Sequence, residues 1–272
     1  MRYVKHYVLS ALWLIVLWAL IKPLLEQDKY KVEQVSPETK KPLEKTLEEQ
    51  PLHNVALPDF ENFRNIKHKK TAFFKFIKPA VERENKRLSE LRNTLLQWQD
   101  SITFNKALSR QNALKVEALA LKYKLNTRLS IADKIDILLT RVDIVPTPLV
   151  LVQAANESAW GTSRFARIGL NFFGIWCYRK GCGMVPSSRD EGLKHEVAAF
   201  QSVEQAVAHY MLNINTNAAY KVLRNIRAQL REQKLPVKSD ILVTGLLPYS
   251  ERGSDYILEI SEMLRHNKNY IH

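Results

Sequence analysis

Glycine and cysteine are scarce in this sequence, with eight glycines and two cysteines in 272 residues. No glycine-rich phosphate loop occurs, so a nucleotide site of that kind is excluded. The two cysteines, Cys177 and Cys182, have no second cysteine or histidine pair at a spacing that would complete a zinc site. Helix-forming residues are common instead, and the composition predicts a mostly helical protein.

Negative charge is also in deficit. The chain has 41 Lys and Arg against 28 Asp and Glu, a formal net charge of +13. Such a balance indicates a polyanionic environment or partner and does not specify a fold. Nucleic acid, anionic phospholipid headgroups and an acidic cell-wall polymer are the candidates, and a solvated basic surface without a partner is the alternative.

A strongly apolar stretch lies near the N-terminus. Residues 7–21 carry no charge, Arg2 and Lys5 precede them, and Lys22 follows. Fifteen residues fall short of a hydrocarbon core about 30 Å thick. A snorkelling Lys22 extends the usable stretch to about residue 25. The basic flank predicts an N-terminus in the cytoplasm and export of the rest, so we interpret residues 1–25 as an inner-membrane signal anchor. A cleaved signal peptide is the alternative.

Export would place the two cysteines in an oxidising compartment. Cys177 and Cys182 enclose four residues in the segment CYRKGC. In an oxidising compartment we expect a disulfide that closes this short loop, with two free thiols as the alternative.

The chain after the apolar stretch divides by composition. Residues 26–60 are rich in Lys, Glu, Gln and Pro, so we predict a flexible linker. Apolar residues then recur at helical spacing over about 71–95 and 105–124, which predicts a helical N-terminal extension over 61–129. A further helix with Ser130 as N-cap begins the last predicted domain, residues 130–272.

The segment PTPLVLVQAANESAWG, residues 146–161, carries the most informative helix. Its two prolines are tolerated in the first turn, and the following residues are apolar nearly all round, which predicts a helix buried at the centre of a domain. Gly161 is the predicted C-cap. Residues 171–176 and 196–200 predict a small β-hairpin or irregular lobe, and helices resume at Ser202. The predicted fold class is therefore α+β and predominantly helical.

Glu157 stands at the exit of this buried helix. An ionisable side chain is costly to bury there, and loss of hydration raises the pKa of a carboxyl group. A protonated carboxyl at the rim of a cleft can donate a proton to a glycosidic oxygen. A solvated glutamate near a helix end is the alternative on physical grounds alone.

The sequence around Glu157 resembles glycoside hydrolase family 73, bacterial endo-β-N-acetylglucosaminidases that cut peptidoglycan. The resemblance rests on Asn156-Glu157-Ser158-Ala159-Trp160-Gly161, on Ser163 and Phe165, and on Asn171-Phe172-Phe173-Gly174-Ile175, where Phe172 replaces the usual Leu. It covers about residues 130–268. It implies a lysozyme-like fold with a small β-lobe, Glu157 as general acid, and cleavage on the reducing side of N-acetylglucosamine.

The resemblance also implies further site residues. Tyr249 and Tyr256 match the two tyrosines of the family's Y-A-T-D-P-x-Y block, whereas Glu251 and Arg252 depart from its Thr-Asp. We expect Tyr249 to act in catalysis and Tyr256 to bind substrate. The aromatics near Glu157 suit sugar recognition, so Trp160, Phe173 and the motif residue Asn171 are further substrate-binding candidates. Core packing is the alternative for each aromatic residue.

The family's β-lobe also supplies a second acid. Glu191 is our candidate for this second acid, with Asp190 and Glu196 as alternatives. For all three residues the alternative to a catalytic role is an ordinary charged loop in solvent. No metal ion or organic cofactor is required by this chemistry. The expected partners are peptidoglycan glycan strands and, through the anchor, the inner membrane, with a periplasmic catalytic domain and no nucleic acid. A lytic transglycosylase and a non-catalytic wall-binding or scaffold protein are the competing functions.

Overall fold

A computed structural model describes residues 50–186, 192 and 194–271 of the chain. Residues 49–272 belong to one compact unit. In chain order the helices and strands are α1 (Ile66–Thr103), α2 (Arg110–Lys122), α3 (Ile131–Arg141), α4 (Thr147–Glu157), α5 (Arg164–Gly169), β1 (Trp176–Cys177), β2 (Gly183–Met184), β3 (Glu196–Ala198), α6 (Val203–Thr216), α7 (Lys221–Glu232), α8 (Ser239–Leu242), α9 (Ser254–His266) and α10 (Lys268–Ile271). Short 3-10 turns cover Ala218–Tyr220 and Val243–Tyr249.

The longest element is α1, with 38 residues. Asn65 caps its first turn by accepting from the backbone N–H groups of Lys67 and His68. The exposed Pro79 lies inside the helix without ending it, because water can hydrogen-bond the backbone groups that a proline leaves unpaired on an outer face. The helix buries an apolar stripe, made of Phe73, Phe74, Ile77, Ala80, Val81, Leu88, Leu95 and Trp98, and packs against α3, α4 and α6.

The end of the predicted linker is packed on the domain. The Leu52 amide donates to the Ile168 carbonyl at 2.8 Å, and the His53 ring lies 2.9 Å from the Arg167 carbonyl. Phe60 is buried and contacts the Phe73 ring edge-on at 5.5 Å between centroids. Burial of a phenylalanine and pairing of backbone groups order this part of the segment. Residues 26–49 of the predicted linker lie outside the described residues.

The shorter helices follow their capping residues. Ser130 accepts from the Asp133 amide at the start of α3, and Ser202 accepts from the Gln205 amide at the start of α6, as the sequence predicts. The residues predicted as an N-terminal extension share one core with the later helices, since α1 contacts α3, α4 and α6, and α2 contacts α3. The fold class, predominantly helical α+β with a small sheet, is confirmed.

The β-lobe is a three-stranded antiparallel sheet with β3 in the centre. Trp176 pairs with Val197, and Gly183 pairs with Ala198. A side chain at Gly183 would meet the Val197 carbonyl oxygen at 1.9 Å, so only glycine allows this close approach. The sequence predicted a two-stranded hairpin, whereas the observed sheet has three strands. The strand that was not predicted is β2, which has only two residues and no apolar pattern.

Among the described residues, no helix has the length and apolar character needed to cross a membrane. The apolar stretch of residues 7–21 lies outside them.

Candidate active site

The site is built at the C-terminal end of α4, where Glu157 is the last helical residue and is half-buried. The fully buried Ser158 ends the helix: its hydroxyl donates to the Ala154 carbonyl at 2.6 Å and accepts from the Gly161 amide at 2.9 Å. The predicted end at Trp160-Gly161 is therefore wrong by three residues. Sequence patterns favoured a glycine cap, but the serine side chain competes for the helix carbonyl one turn earlier.

Three consecutive residues after Ser158 have left-handed backbone, with φ of 50° at Ala159, 59° at Trp160 and 80° at Gly161. Such backbone is unfavourable for residues with a Cβ and persists only where the surroundings hold it. A Cβ at Gly161 would lie 2.5 Å from the Phe60 ring, so glycine is required there. Ser163 then caps α5 by accepting from the Ala166 amide.

Trp160 is half-buried in this turn. Its ring meets Phe73 and Phe74 edge-on, with centroids 5.7 and 5.3 Å apart, and the Lys70 ammonium lies 5.2 Å from its centroid. It borders a cavity of about 470 Å³ that Asn156 and Glu259 also line. Contact with a sugar remains a prediction for Trp160, whose edge contacts are those of a core residue.

A network of tyrosine hydroxyls surrounds the Glu157 end of the helix. Gln153, one turn earlier and fully buried, donates to the Tyr256 hydroxyl at 2.9 Å and accepts from the Tyr210 hydroxyl. Tyr256 also hydrogen-bonds the Glu157 carboxyl group. A buried polar network of this kind fixes the position of each member, because none can leave without stranding a partner.

Aromatic stacking continues the network away from Gln153. Tyr249 stacks on Tyr256 with centroids 5.4 Å apart and rings 7° from parallel, and its hydroxyl donates to the Phe173 carbonyl at 2.9 Å. Phe173 in turn stacks on Tyr210 at 4.2 Å. Gly174 follows, and a Cβ placed there would lie 3.8 Å from Glu157 Oε2. These contacts join the NFFGI motif to the tyrosine block beside Glu157.

Burial raises the pKa of Glu157 above its ordinary value. The hydrogen bond from Tyr256, the charge of Arg252 and a hydrogen bond from Asn156 oppose this shift, and the charge of Glu259 supports it. The tyrosines beside Glu157 shift upward as well, because burial disfavours the phenolate; the pKa of Tyr220 rises to about 12. The site therefore sets a carboxyl that favours its protonated form among neutral hydroxyl donors.

Of the three candidates for the second acid in the β-lobe, the structure describes only Glu196. Asp190 and Glu191 lie outside the described residues. Glu196 is buried in β3, and its two carboxylate oxygens accept from the Gly181 and Gly183 amides, each at 2.9 Å. This carboxylate holds the lobe's own backbone in place.

Asn171 has a similar organising position. The buried amide donates from Nδ2 to the Ile175 and Ala198 carbonyls, both at 2.8 Å, and its oxygen accepts from the Ile175 amide at 3.0 Å. The side chain thereby joins the NFFGI loop to β3. Substrate binding by Asn171 remains a prediction, and its contacts are those of a residue that shapes the loop.

Cys177 and Cys182 form a disulfide with Cα atoms 6.3 Å apart. Together with Glu196 they are a group of three potential metal ligands, with donor atoms within 4.8 Å of one another. Sulfur atoms joined in a disulfide cannot serve as thiolate ligands, so in this state the group is a cross-link of the β-lobe.

Of the predicted residues, the structure brings together Glu157, Tyr249, Tyr256 and Phe173. Sequence interpretation missed Gln153, Tyr210 and Tyr220. Gln153 gave a signal, because it is the one polar residue within an apolar run and a buried amide requires partners. Tyr210 and Tyr220 gave none, since they lie far along the chain in ordinary helical surroundings.

Comparisons with known proteins identify the family of this chain. Residues 132–247 match the family described as mannosyl-glycoprotein endo-β-N-acetylglucosaminidase, or glucosaminidase. Protein bax of Escherichia coli (strain K12) is 32% identical over 222 residues, which cover 79% of this chain and 76% of that protein. No solved structure matches the chain significantly. The match to the glucosaminidase family includes Glu157 and the NFFGI motif and ends just before Tyr249.

Proposed function

The chain belongs to the glucosaminidase family, and we propose that it cuts peptidoglycan at the β-1,4 bond on the reducing side of N-acetylglucosamine. At the level of the family it is a peptidoglycan-related glycosidase. The observation that carries the finer proposal is the half-buried Glu157, whose raised pKa favours a proton on the carboxyl. This is the state that a general acid needs before it donates.

In the proposed reaction, Glu157 gives its proton to the glycosidic oxygen as the bond to the anomeric carbon breaks. The sugar then carries oxocarbenium character, and a water molecule supplies the new hydroxyl at C1. The neutral Tyr249 hydroxyl, which donates to the Phe173 carbonyl, keeps oxygen lone pairs that can stabilise the positive centre. Tyr256 is fully buried, so its part in the reaction passes through Glu157 rather than through the sugar. A hydrogen bond from Tyr256 also stabilises the Glu157 carboxylate that remains after proton transfer.

Two routes are open on the opposite face of the sugar. A β-lobe carboxylate, with Glu191 as our candidate, can activate water and invert the anomeric centre. The substrate's own 2-acetamido oxygen can instead attack C1, which gives retention. Glu196 is a poor base for the first route, because both of its oxygens already accept from backbone amides.

Product analysis tests the specificity. Purified full-length protein is incubated with peptidoglycan, and the new chain ends are identified by mass spectrometry after borohydride reduction. We expect reducing N-acetylglucosamine ends from the wild type, and their release should be at least about 10²-fold slower with the Glu157→Gln variant. Glu232→Gln is the matched control, because Glu232 is an exposed carboxylate that, like Glu157, is the last residue of its helix. Reducing N-acetylmuramic acid ends would contradict the specificity, and anhydro ends would indicate a lytic transglycosylase.

We also propose that the enzyme acts outside the cytoplasm while anchored in the inner membrane. This proposal rests on the sequence of residues 1–25 and on the wall polymer that the family implies as substrate. The net charge of +13 would favour residence near an anionic wall and membrane. Fractionation of cells that produce the full chain tests it, and recovery in the soluble cytoplasmic fraction would contradict it.

A further inference from the structure

Arg252 is a charged residue beside Glu157 that the proposed chemistry does not use. It lies in the turn between the 3-10 segment Val243–Tyr249 and α9, where its amide donates to the Ser250 hydroxyl. Its guanidinium carbon is 5.6 Å from the Tyr256 ring centroid, and its Nη2 is 2.7 Å from Glu259 Oε2. The guanidinium is thus held on two sides while 53% of the side chain stays exposed.

The same tyrosine connects Arg252 to the acid. The Tyr256 ring makes a cation–π contact with Arg252, and the Tyr256 hydroxyl hydrogen-bonds the Glu157 carboxyl group. The charge of Arg252 acts on Glu157, with Glu259 acting in the opposite sense. A fixed cation therefore lies beside the candidate acid.

The proposed reaction does not require a cation here, and Glu259 and the Tyr256 ring leave part of the guanidinium exposed. Arg252 stands two residues before the first residue of α9, and positive charge is unfavourable at a helix N-terminus. It also faces a reaction centre that becomes positive, where a second positive charge gives no stabilisation. Glu259 offsets part of this cost, because 53% of the Arg252 side chain stays exposed and water screens its charge. A negatively charged group of the substrate would offset the rest.

We propose that Arg252 forms a carboxylate-binding subsite for the N-acetylmuramoyl residue next to the bond that is cut. This inference rests on the proposed function, since cleavage on the reducing side of N-acetylglucosamine places a muramoyl residue across that bond. The muramoyl sugar differs from N-acetylglucosamine by a lactyl ether. Its carboxyl group is a free carboxylate on strands that have lost their stem peptides, and it is an uncharged amide where a stem peptide is attached, so the subsite is proposed for peptide-free strands. Arginine has five N–H donors, so the guanidinium can hold Glu259 and still offer a fork to a carboxylate.

Binding to an uncut complex tests the subsite. Full-length Glu157→Gln protein is titrated with three glycans of equal length: strands with free lactyl carboxylates, strands that keep their stem peptides, and chitooligosaccharide, which has neither. The same titrations follow with Arg252→Gln added. Arg265→Gln is the matched control, because Arg265 is an exposed arginine on α9 that also pairs with a glutamate. Circular dichroism checks that each variant is folded.

We expect free-lactyl strands to bind about tenfold more tightly than chitooligosaccharide, as one charge-assisted hydrogen-bonded pair would give. Arg252→Gln should abolish this preference and Arg265→Gln should keep it. If only peptide-bearing strands show the Arg252-dependent preference, the bound carboxylate belongs to the stem peptide, and that result overturns a subsite for the lactyl carboxylate. An equal preference with and without Arg252 overturns the inference. That result leaves the proposed function intact, because hydrolysis by the wild-type chain is measured separately.

Discussion

Two carboxyl groups flank α4, and their pKa values are shifted in opposite directions. Asp143 lies four residues before the helix and is 2% exposed, and Glu157 is its last residue. Burial by itself raises the pKa of both groups. For Asp143, hydrogen bonds from Arg231 and the charges of Arg227 and Arg92 reverse this effect, so its pKa is lowered.

The contacts around Asp143 explain why its carboxylate is stabilised. Arg231 makes a two-pronged contact, Nε to Oδ2 at 2.9 Å and Nη2 to Oδ1 at 2.8 Å. Arg227, 1% exposed, donates to the Ile144 carbonyl at 2.8 Å and to the Asn215 amide oxygen at 2.8 Å. Donors from α7 thus satisfy both the carboxylate and the carbonyls of the loop before α4.

The Glu157 end has neutral donors in place of these cations. Tyrosine hydroxyls lower the cost of a negative charge less than a paired guanidinium does, and Arg252 is held by Glu259. The comparison teaches that burial alone does not decide the state of a carboxyl group. The partners decide the direction of the pKa shift: guanidinium groups lower the pKa of Asp143, whereas the pKa of Glu157, our proposed proton donor, stays raised.

The largest expected effect separates the two ends by function. Glu157→Gln should lower the rate of peptidoglycan cleavage by about 10²- to 10⁴-fold, the usual contribution of a general acid. Asp143→Asn, tested below its own melting temperature, should retain most of the activity. Release of reducing ends at fixed enzyme concentration measures both. Equal losses in the two variants would mean that the ends do not differ in role.

The second effect separates the ends by stability. Asp143→Asn leaves Arg227 buried without its counter-charge and should lower the free energy of unfolding by about 3 kcal/mol. Urea denaturation followed by circular dichroism measures the loss. Asp136→Asn on exposed α3 surface is the control and should change it by about 0.5 kcal/mol or less. A loss at Asp143 no larger than at Asp136 would show that the arginines are satisfied without the carboxylate.

A third, smaller effect concerns the neutral donors. Tyr256→Phe removes the hydrogen bond that stabilises the Glu157 carboxylate, so the pKa of Glu157 should rise further. The alkaline limb of the pH–rate profile, where the acid loses its proton, should move to higher pH, and the maximal rate should fall about tenfold. Tyr123→Phe, at a buried tyrosine beside Arg87, is the control. An unmoved alkaline limb would argue against Glu157 as the titrating acid.

The smallest effect is on stability as a function of pH. The raised pKa of Glu157 gives stability that is present at low pH and is lost as pH rises through that pKa, so Glu157→Gln should gain about 0.5–1 kcal/mol over wild type at neutral pH. The lowered pKa of Asp143 acts in the opposite direction: its contribution is present above about pH 4 and is lost as pH falls below it. Denaturation midpoints between pH 3 and 8 measure both trends.

The sequence predicted the helix that carries the acid and the block that carries Tyr249 and Tyr256, because local periodicity and motif spacing encode them. It did not predict where α4 ends, since that depends on the rotamer of Ser158. It also gave no signal for the Asp143 cluster. Its arginines come from α1 and α7, up to 88 residues away in the chain, and only the packed fold brings them to one carboxylate.

The long α1 helix determines how far the chain can be truncated from its N-terminal side. A fragment that starts at residue 130 looks complete by motif, yet it would leave bare the surfaces of α3, α4 and α6 that α1 covers, with the Trp160 ring among them. Such a fragment should aggregate on expression, as a large uncovered apolar face does. We therefore expect the smallest unit that folds by itself to start near residue 50 and to include α1.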